Sequence, residues 1–399
     1  MQLNGNRIII WGAKDRGRVV LKVLRERLNI DAECFVDRDI NLIDQQIDGI
    51  YVLSDVNFIT KYNADDVLII IGGYNPQNKE QITEFLEKNN FTGKLMDTYE
   101  FHHMYEIPVL LQREDKKVID YESKIQQWFK SFLAEAHFWR DEVINPEGYY
   151  HNHYLARVDS SKEFECDRVK EFVKQDSVIL DVGCGICSNY GKGWNGKQLS
   201  LIGVDPLAHI YNRLNQRAFS MGCTNGKMPD GIKFGMFEML SYMIEKNSAD
   251  IILIDNALDH CIDPISAILE CLRVVKKYGV VSTFHHINEA YKAFYADMHQ
   301  WNICSNEEGH LVVWNNESCI DINKLLGEYV EITTYVHENH VAEIPFGGLV
   351  CNIVKKKDIP DDFMDETKER LGMVINQVML RISDPEFMLE YLEFYLHER

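Results

Sequence analysis

Ser177-Val-Ile-Leu-Asp181-Val-Gly183-Cys-Gly185 sets an apolar run directly against a Gly-x-Gly turn. A run of this kind reads as a buried strand, and glycines at its end let the backbone turn sharply and come close to a ligand. A second run, Leu199-Ser-Leu-Ile-Gly-Val-Asp205, ends in an acid about 20 residues after the turn. An acid at that place can take both hydroxyls of a ribose in a bidentate hydrogen bond. Ala249 to Asp255 reads as a fourth strand and Gly279 to Phe284 as a fifth. Between them, Pro264 to Lys277 predicts an amphipathic helix with Ile265, Ile268, Leu269, Leu272 and Val275 on its apolar side. Strands alternating with helices predict an open α/β sheet, with its ligand site outside the carboxyl ends of the strands.

A second opening of the same kind lies near residue 7. Arg7-Ile-Ile-Ile-Trp11 runs into Gly12, and a helical pattern follows with Val19, Val20, Val23, Leu24 and Leu28 on one face. The next strand, Ala32 to Val36, ends at Asp37. Gly12 and Gly17 have the spacing of the outer glycines of the dinucleotide fingerprint, but Lys14 stands where the middle glycine would let a pyrophosphate approach. Val67 to Ile71, the helix Asn78 to Asn89 and Gly93 to Met96 complete a smaller sheet. The expected fold is therefore α/β, with two Rossmann-like open sheets and a helical C-terminal tail. The expected divisions are 1–105 (Rossmann-like), 106–175 (helical linker or lid), 176–357 (second sheet) and 358–399 (tail). In the tail, Asp361 to Arg381 and Pro385 to Arg399 read as helices. Phe363, Leu371, Val374, Val378 and Leu380 give an apolar face for packing on a domain, or on a second copy as a homodimer.

The formal net charge of −20 repels phosphate backbones, so no nucleic-acid partner is expected. Ile8 to Trp11 is too short for a secretory signal core, and no apolar run is long enough for a membrane span. The ten cysteines are scattered, several of them in apolar segments. They read as reduced thiols of a cytoplasmic protein, and Cys184-Gly-Ile-Cys187 belongs to a glycine-rich turn rather than to a metal knuckle.

Three further segments join the glycine turn in order: Gly203-Val-Asp205-Pro206-Leu207-Ala208 with Tyr211-Asn212, then Asn256-Ala257-Leu258-Asp259-His260-Cys-Ile-Asp263-Pro264, then His299-Gln300-Trp301-Asn302. Together these resemble a bacterial branch of the class I S-adenosylmethionine-dependent methyltransferases, over roughly residues 125–355. The resemblance implies S-adenosylmethionine as cofactor, with Asp181, Gly183 and Gly185 along its methionine part and Asp205 on its ribose. Gly235-Met236-Phe237-Glu238 would pass near the adenine, though Met236 stands where an acid is common. Pro206, Phe237, Glu238 and Asn256 complete the implied cofactor set. Trp128 to Asn145 and Gly148 to Arg157, with Tyr149, Tyr150, His151, His153 and Arg157, would form a lid. Phe35-Val-Asp-Arg-Asp and Ile47 to Ser54 resemble small Rossmann-like domains of bacterial sugar-modifying enzymes, over roughly residues 6–100. That implies either a ligand over Gly12, Arg16, Gly17 and Asp37 or a scaffold without one.

Methyl transfer to a hydroxyl needs alignment of the nucleophile with the sulfonium methyl and a base for its proton. Histidine suits the base role, with an unperturbed pKa of about 6.5. His260 follows the fourth strand and is the first choice, with Asp259 to orient a histidine or contact the acceptor. His285 and His286 close the fifth strand, and His299 follows on the next helix or loop. No compact metal-ligand signature is present, and no metal is expected. The expected activity is O-methylation of a sugar in glycan or polysaccharide assembly, with a histidine base. The alternatives are methylation of a small metabolite or carboxylate with the N-terminal domain as scaffold, and a non-catalytic partner that senses cofactor or sugar nucleotide.

Overall fold

Unbroken apolar runs bury both faces of a parallel strand, and the chain uses two sets of them to build two sheets. The computed structural model describes residues 3, 5–62, 64–72, 76–106, 109, 120–293, 295–337, 348–382, 384 and 386. The chain divides between residues 116 and 117 into two compact units. The helix expected over Pro385 to Arg399 lies almost wholly outside the described residues.

In the first unit the elements run β1 (Arg7–Trp11), α1 (Asp15–Leu28), β2 (Cys34–Val36), β3 (Gln46–Ile47), β4 (Ile50–Leu53), α2 (Asp55–Tyr62), β5 (Val67–Ile71), α3 (Pro76–Lys88) and β6 (Lys94–Asp97). The sheet order is β3-β4-β2-β1-β5-β6, parallel except for the β3–β4 hairpin. Gly17 lets α1 sit tight against the end of β1, because a Cβ there would lie 1.8 Å from the Gly12 carbonyl oxygen.

The second unit opens with α4 (Tyr121–Phe138), which continues without a break into a π-helical turn, Trp139–Ile144, and then α5 (His151–Val158). Its sheet is formed by β7 (Val178–Val182), β8 (Ser200–Asp205), β9 (Lys233–Phe234), β10 (Ala249–Asp255), β11 (Val275–His286), β15 (Val330–His337) and β16 (Gly348–Lys355). The order is β9-β8-β7-β10-β11-β16-β15, with the first five strands parallel and β16 antiparallel to both its neighbours. Asp181 pairs with Gly203 on one side and Leu253 on the other, so the glycine turn, Asp205 and Asp255 leave the sheet at one edge. Helices α6 (Ala208–Ser220) and α7 (Pro264–Val274) follow β8 and β10. Both sheets are thus Rossmann-like.

The structure revises some element boundaries. Helix α7 stops at Val274 instead of Lys277, because Asn247 and Ser248 amides take the Arg273 and Val274 carbonyls (3.0 and 2.9 Å) and β11 begins at Val275. His299 to Trp301 is a loop, as expected, and the chain then enters β12 (Asn302–Ser305), paired with β13 (Leu311–Trp314) and then β14 (Cys319–Asp321) in a small antiparallel sheet. In the tail, α8 (Asp365–Ile382) buries Leu371, Ile375, Val378 and Ile382 in the core shared with α4, while Leu380 is 77% exposed. No described helix is long and apolar enough to cross a membrane.

Candidate active site

At the end of β7 the chain turns through Gly183 (φ +74°) and Gly185 (φ +63°), a region that strains any residue with a Cβ. Space is a second constraint. A Cβ on Gly183 would meet Ala257 at 2.5 Å and the Phe237 ring at 3.0 Å, and one on Gly185 would meet the Trp139 ring at 2.4 Å. Asp205, at the end of β8, holds this turn: Oδ2 accepts the Gly185 N–H (3.0 Å) and Oδ1 the Leu207 N–H (2.8 Å). Burial pushes its carboxyl up to about 7 against the pull of those two amides, with Glu135 and Asp181 adding to the rise. Asp181 accepts the Ser188 hydroxyl at 2.6 Å, and burial together with Asp255 lifts it to about 7 as well. Arg168 and the Tyr190 hydroxyl both donate to Asp255. Pro206 is half-buried where the chain turns from Asp205 into α6, and Phe237 is buried beside Gly183.

Two residues implied for the cofactor are otherwise engaged. The buried Glu238 accepts the Ile262 and Asp263 amides (2.7 and 3.2 Å) through Oε1, so it braces the loop after His260. Asn256, with φ +48°, ties the ends of β10 and β11 together: it donates to Glu289 (2.7 Å) and accepts the His286 amide (3.0 Å). Both residues thus have protein partners at the edge where the cofactor is expected.

Beyond β10, Leu258–His260 forms a short 3-10 turn. Asp259 is buried there, and its Oδ2 lies 2.7 Å from His299 Nδ1 and 3.6 Å from His260 Nε2. The two ring nitrogens are 3.2 Å apart. His299 is held in place by its backbone N–H, which donates to the Ala296 carbonyl (3.1 Å), and the backbone N–H of the next residue, Gln300, donates to the Asp259 carbonyl (3.1 Å). Burial would raise the Asp259 carboxyl, but His260 and His299 outweigh it and hold it at about 2. Burial would lower His299, but its bond to Asp259 raises it to about 9.

The fifth-strand histidines separate. His285 points into the core at 1% exposure, neither ring nitrogen has a partner, and burial pushes it down to about 4. Successive strand residues face opposite ways, and here the core side is His285. His286 points the other way, with Nδ1 3.2 Å from Glu289.

Glu135 was not singled out by the sequence, and Trp139 only as one of the aromatics of the segment expected to form a lid. Trp139 lays its indole on Gly185 and donates Nε1 to Glu135 (2.8 Å), and the Arg157 guanidinium stands 5.3 Å from the indole centroid. Glu135 is close enough for its charge to raise both Asp205 and His299. The signal available was the i,i+4 spacing of Glu135 and Trp139 on a helix. Of the other lid residues, Tyr149 is 72% exposed, His153 is exposed and His151 lies 3.2 Å from the Val143 carbonyl. Tyr150 packs on Phe138.

In the first unit, Asp37 is engaged as Asp205 is: Oδ2 accepts the Ala13 amide (2.8 Å) and Oδ1 the Asp39 amide (2.9 Å). Gly12 (φ +113°) turns the chain above it, Arg18 pairs with Asp48 (2.8 Å) and Lys14 with Asp39 (2.8 Å). Arg16, half-buried at the start of α1, also has an interaction partner.

Residues 4–90 match the family described as C2185-like, N-terminal, and residues 180–294 match the family described as Methyltransferase domain. No curated protein matches the chain. Among solved structures, the chain is similar to a S-adenosylmethionine-dependent methyltransferase from Methanosarcina mazei (18% identity, 49% of this chain and 100% of that one, TM-score 0.31). It is also similar to phosphoethanolamine N-methyltransferase 2 from Haemonchus contortus, determined with phosphomonomethylethanolamine and S-adenosylhomocysteine (12%, 88% and 94%, 0.33). A third is the CurJ carbon methyltransferase (13%, 47% of this chain, 0.32), of which the chain spans 50%.

Proposed function

We propose that the methyltransferase domain of this chain, whose donor is S-adenosylmethionine, moves the methyl group to a hydroxyl oxygen of a sugar. The observation that carries this is the meeting of two arrangements at one sheet edge. Asp205 and the Asp181–Gly185 turn close β8 and β7, and the Asp259–His260–His299 cluster follows β10, the next strand. The first fits the donor: a carboxylate for the ribose hydroxyls, glycines for close approach, and Pro206 and Phe237 at the border of the nucleoside. The second fits the acceptor. As the O–C bond forms and the C–S bond breaks, the acceptor proton is given up at Asp259, His260 and His299 and not at the buried His285. Neutral S-adenosylhomocysteine leaves from a site lined by acids.

The sugar rests on the likeness of residues 6–100 to small domains of sugar-modifying enzymes and suits work in glycan or polysaccharide assembly. The engagement of Asp37 and Arg18 within the protein favours a scaffold role for that unit over a second ligand site. None of the ten cysteines is in a disulfide, which suits a cytoplasmic enzyme.

The test is incubation with radiolabelled donor and a panel of nucleotide sugars, free sugars, carboxylates and amines. The expected result is a methyl ether on a sugar, with kcat lowered by about 10²-fold in His260→Ala. A protein that does not bind the donor by calorimetry overturns the reading, and methyl esters or amines as sole products overturn the hydroxyl acceptor. Donor binding without transfer to any acceptor points to the non-catalytic alternative.

A further inference from the structure

We propose that Asp259, His260 and His299 together hold a divalent transition-series cation, a two-histidine, one-carboxylate face whose open positions take neighbouring hydroxyls of the acceptor. This rests on the hydroxyl-methylating reading and names the chemistry at its acceptor side.

The geometry is that of three donor atoms aimed at one point. Asp259 Oδ2, His260 Nε2 and His299 Nδ1 are separated by 2.7, 3.2 and 3.6 Å. Donors about 2.1 Å from a shared cation stand roughly 3.0 Å apart at right angles and roughly 3.4 Å apart tetrahedrally, and the observed triangle brackets both. Hydrogen bonding alone explains the arrangement less well. Hydrogen bonds alone would need one proton on His299 Nδ1 and a second on His260 Nε2, facing each other at 3.2 Å beside the carboxylate, whereas one cation serves all three atoms.

A second, independent observation points the same way. Buried polar groups ordinarily find partners, yet Asp259, 97% buried by its 3% side-chain exposure, leaves Oδ1 without one. Beside it in the chain fold, the Gln300 amide side chain is also buried and unpartnered. A carboxylate bound to a cation has its charge answered without a second protein donor.

Ligand chemistry selects the ion. Two imidazoles and one carboxylate suit manganese, iron, cobalt, nickel or zinc, whereas magnesium and calcium prefer all-oxygen sets. Charge completes the argument. One carboxylate, two neutral imidazoles and a divalent ion sum to +1, which the acceptor cancels when its bound hydroxyl releases a proton to water. The resulting alkoxide forms the O–C bond as the C–S bond breaks, and the electron pair of that bond returns to sulfur. A second hydroxyl beside the first would chelate the same ion, so the acceptor class is a vicinal diol.

Glu308, His310 and Asp321 form another group of potential ligands. There Lys324 Nζ already stands 3.4 Å from Asp321 and 3.9 Å from Glu308, so a cation is supplied by the chain. That group serves as the control.

The experiment uses the full chain without donor or acceptor. It is stripped with a chelator, dialysed, and titrated with Co²⁺, with retained metal counted by atomic emission and the ligand field read from the visible spectrum. The expected result is one ion per chain with nitrogen-ligand bands, unaffected by excess Mg²⁺. His260→Ala and His299→Ala, both at part-exposed positions and checked by circular dichroism, should weaken uptake at least about tenfold, and His310→Ala should leave it unchanged. Uptake below a tenth of an equivalent, or uptake insensitive to His260→Ala and His299→Ala, overturns the proposal. The two readings fail separately. A protein that methylates sugars without retaining cobalt removes the cation alone, and one that takes up cobalt but does not bind S-adenosylmethionine removes the methyltransferase reading alone.

Discussion

Asp205 has two tasks that compete. In the ligand-free protein it holds the Gly185 and Leu207 amides, and burial keeps its carboxyl near 7. Ribose hydroxyls are best taken by its charged form, since charge-assisted bonds are the stronger ones. Donor affinity should therefore rise as pH goes from 6 to 8 and level above that, measured by calorimetry. Asp205→Ala should weaken donor binding at least tenfold, the loss of about 1.5–3 kcal/mol expected for a bidentate, charge-assisted pair. Affinity that ignores both the pH and the substitution would remove Asp205 from the donor site. The place of this residue was legible in the sequence, because an acid closing a strand beside a glycine turn is a local pattern. The cluster of Asp259, His260 and His299 was legible only as separate candidates. Its convergence depends on a chain reversal that brings residues 39 apart into contact. The opposite facing of His285 and His286 was hidden for another reason: alternation shows that one is inside, and not which one.

At the scale of elements, the strand-to-glycine-turn units were readable from local pattern, since a β-branched run and a glycine each carry their own backbone preference. The end of α7 was not, because it is set by Asn247 and Ser248, amides from a distant loop that claim its last carbonyls. Nor was the π-helical turn Trp139–Ile144 that follows α4. Such turns interrupt the regular ladder and are frequent at functional sites. This one aims Trp139 onto Gly185, with Glu135 bound to the indole one turn back. On the proposed donor site the indole covers the bend beneath the donor, so its removal should speed exchange more than it alters the acceptor step. Trp139→Ala is expected to raise the dissociation rate of S-adenosylhomocysteine by about tenfold, the roughly 1.4 kcal/mol a half-buried aromatic contact contributes. Stopped-flow displacement measures this. An unchanged rate would show that the indole moves aside before the donor enters and takes no part in holding it.

Taken as a whole, the chain carries 62 acidic side chains against 42 basic ones, and three of the acids are buried in the second unit with carboxyls raised to about 7. Burial is the first cause for each. Asp255 adds to it at Asp181 against Arg157 and Arg168, Glu135 and Asp181 add at Asp205, and Asp263 adds at Glu238. Their unfolded values lie near 4, so between pH 4 and 7 the folded chain keeps protons that the unfolded chain has released. Stability contributed by the protonated forms is present at the low end of that range and lost as pH rises through about 7. His285, at about 4 when folded and about 6.5 when unfolded, works in the opposite sense, but only below about pH 6.5. His299, at about 9 when folded and about 6.5 when unfolded, loses stability over the same rise in pH as the acids. From pH 6.5 to 8 the three acids and His299 therefore act together, and each acid should remove on the order of 1 kcal/mol. Urea unfolding of donor-free protein should show a midpoint that falls from pH 6.5 to 8. Asp205→Asn, which has nothing to ionise, should take away on the order of 1 kcal/mol of that fall and be relatively more stable at pH 8. Saturating S-adenosylmethionine should reverse the trend, because a cationic donor binds the charged carboxylates best and its stabilisation adds through mass action. A midpoint that rises with pH in the donor-free protein would mean that these acids are already ionised in the folded chain, and that the charge of the empty site is balanced by an ion.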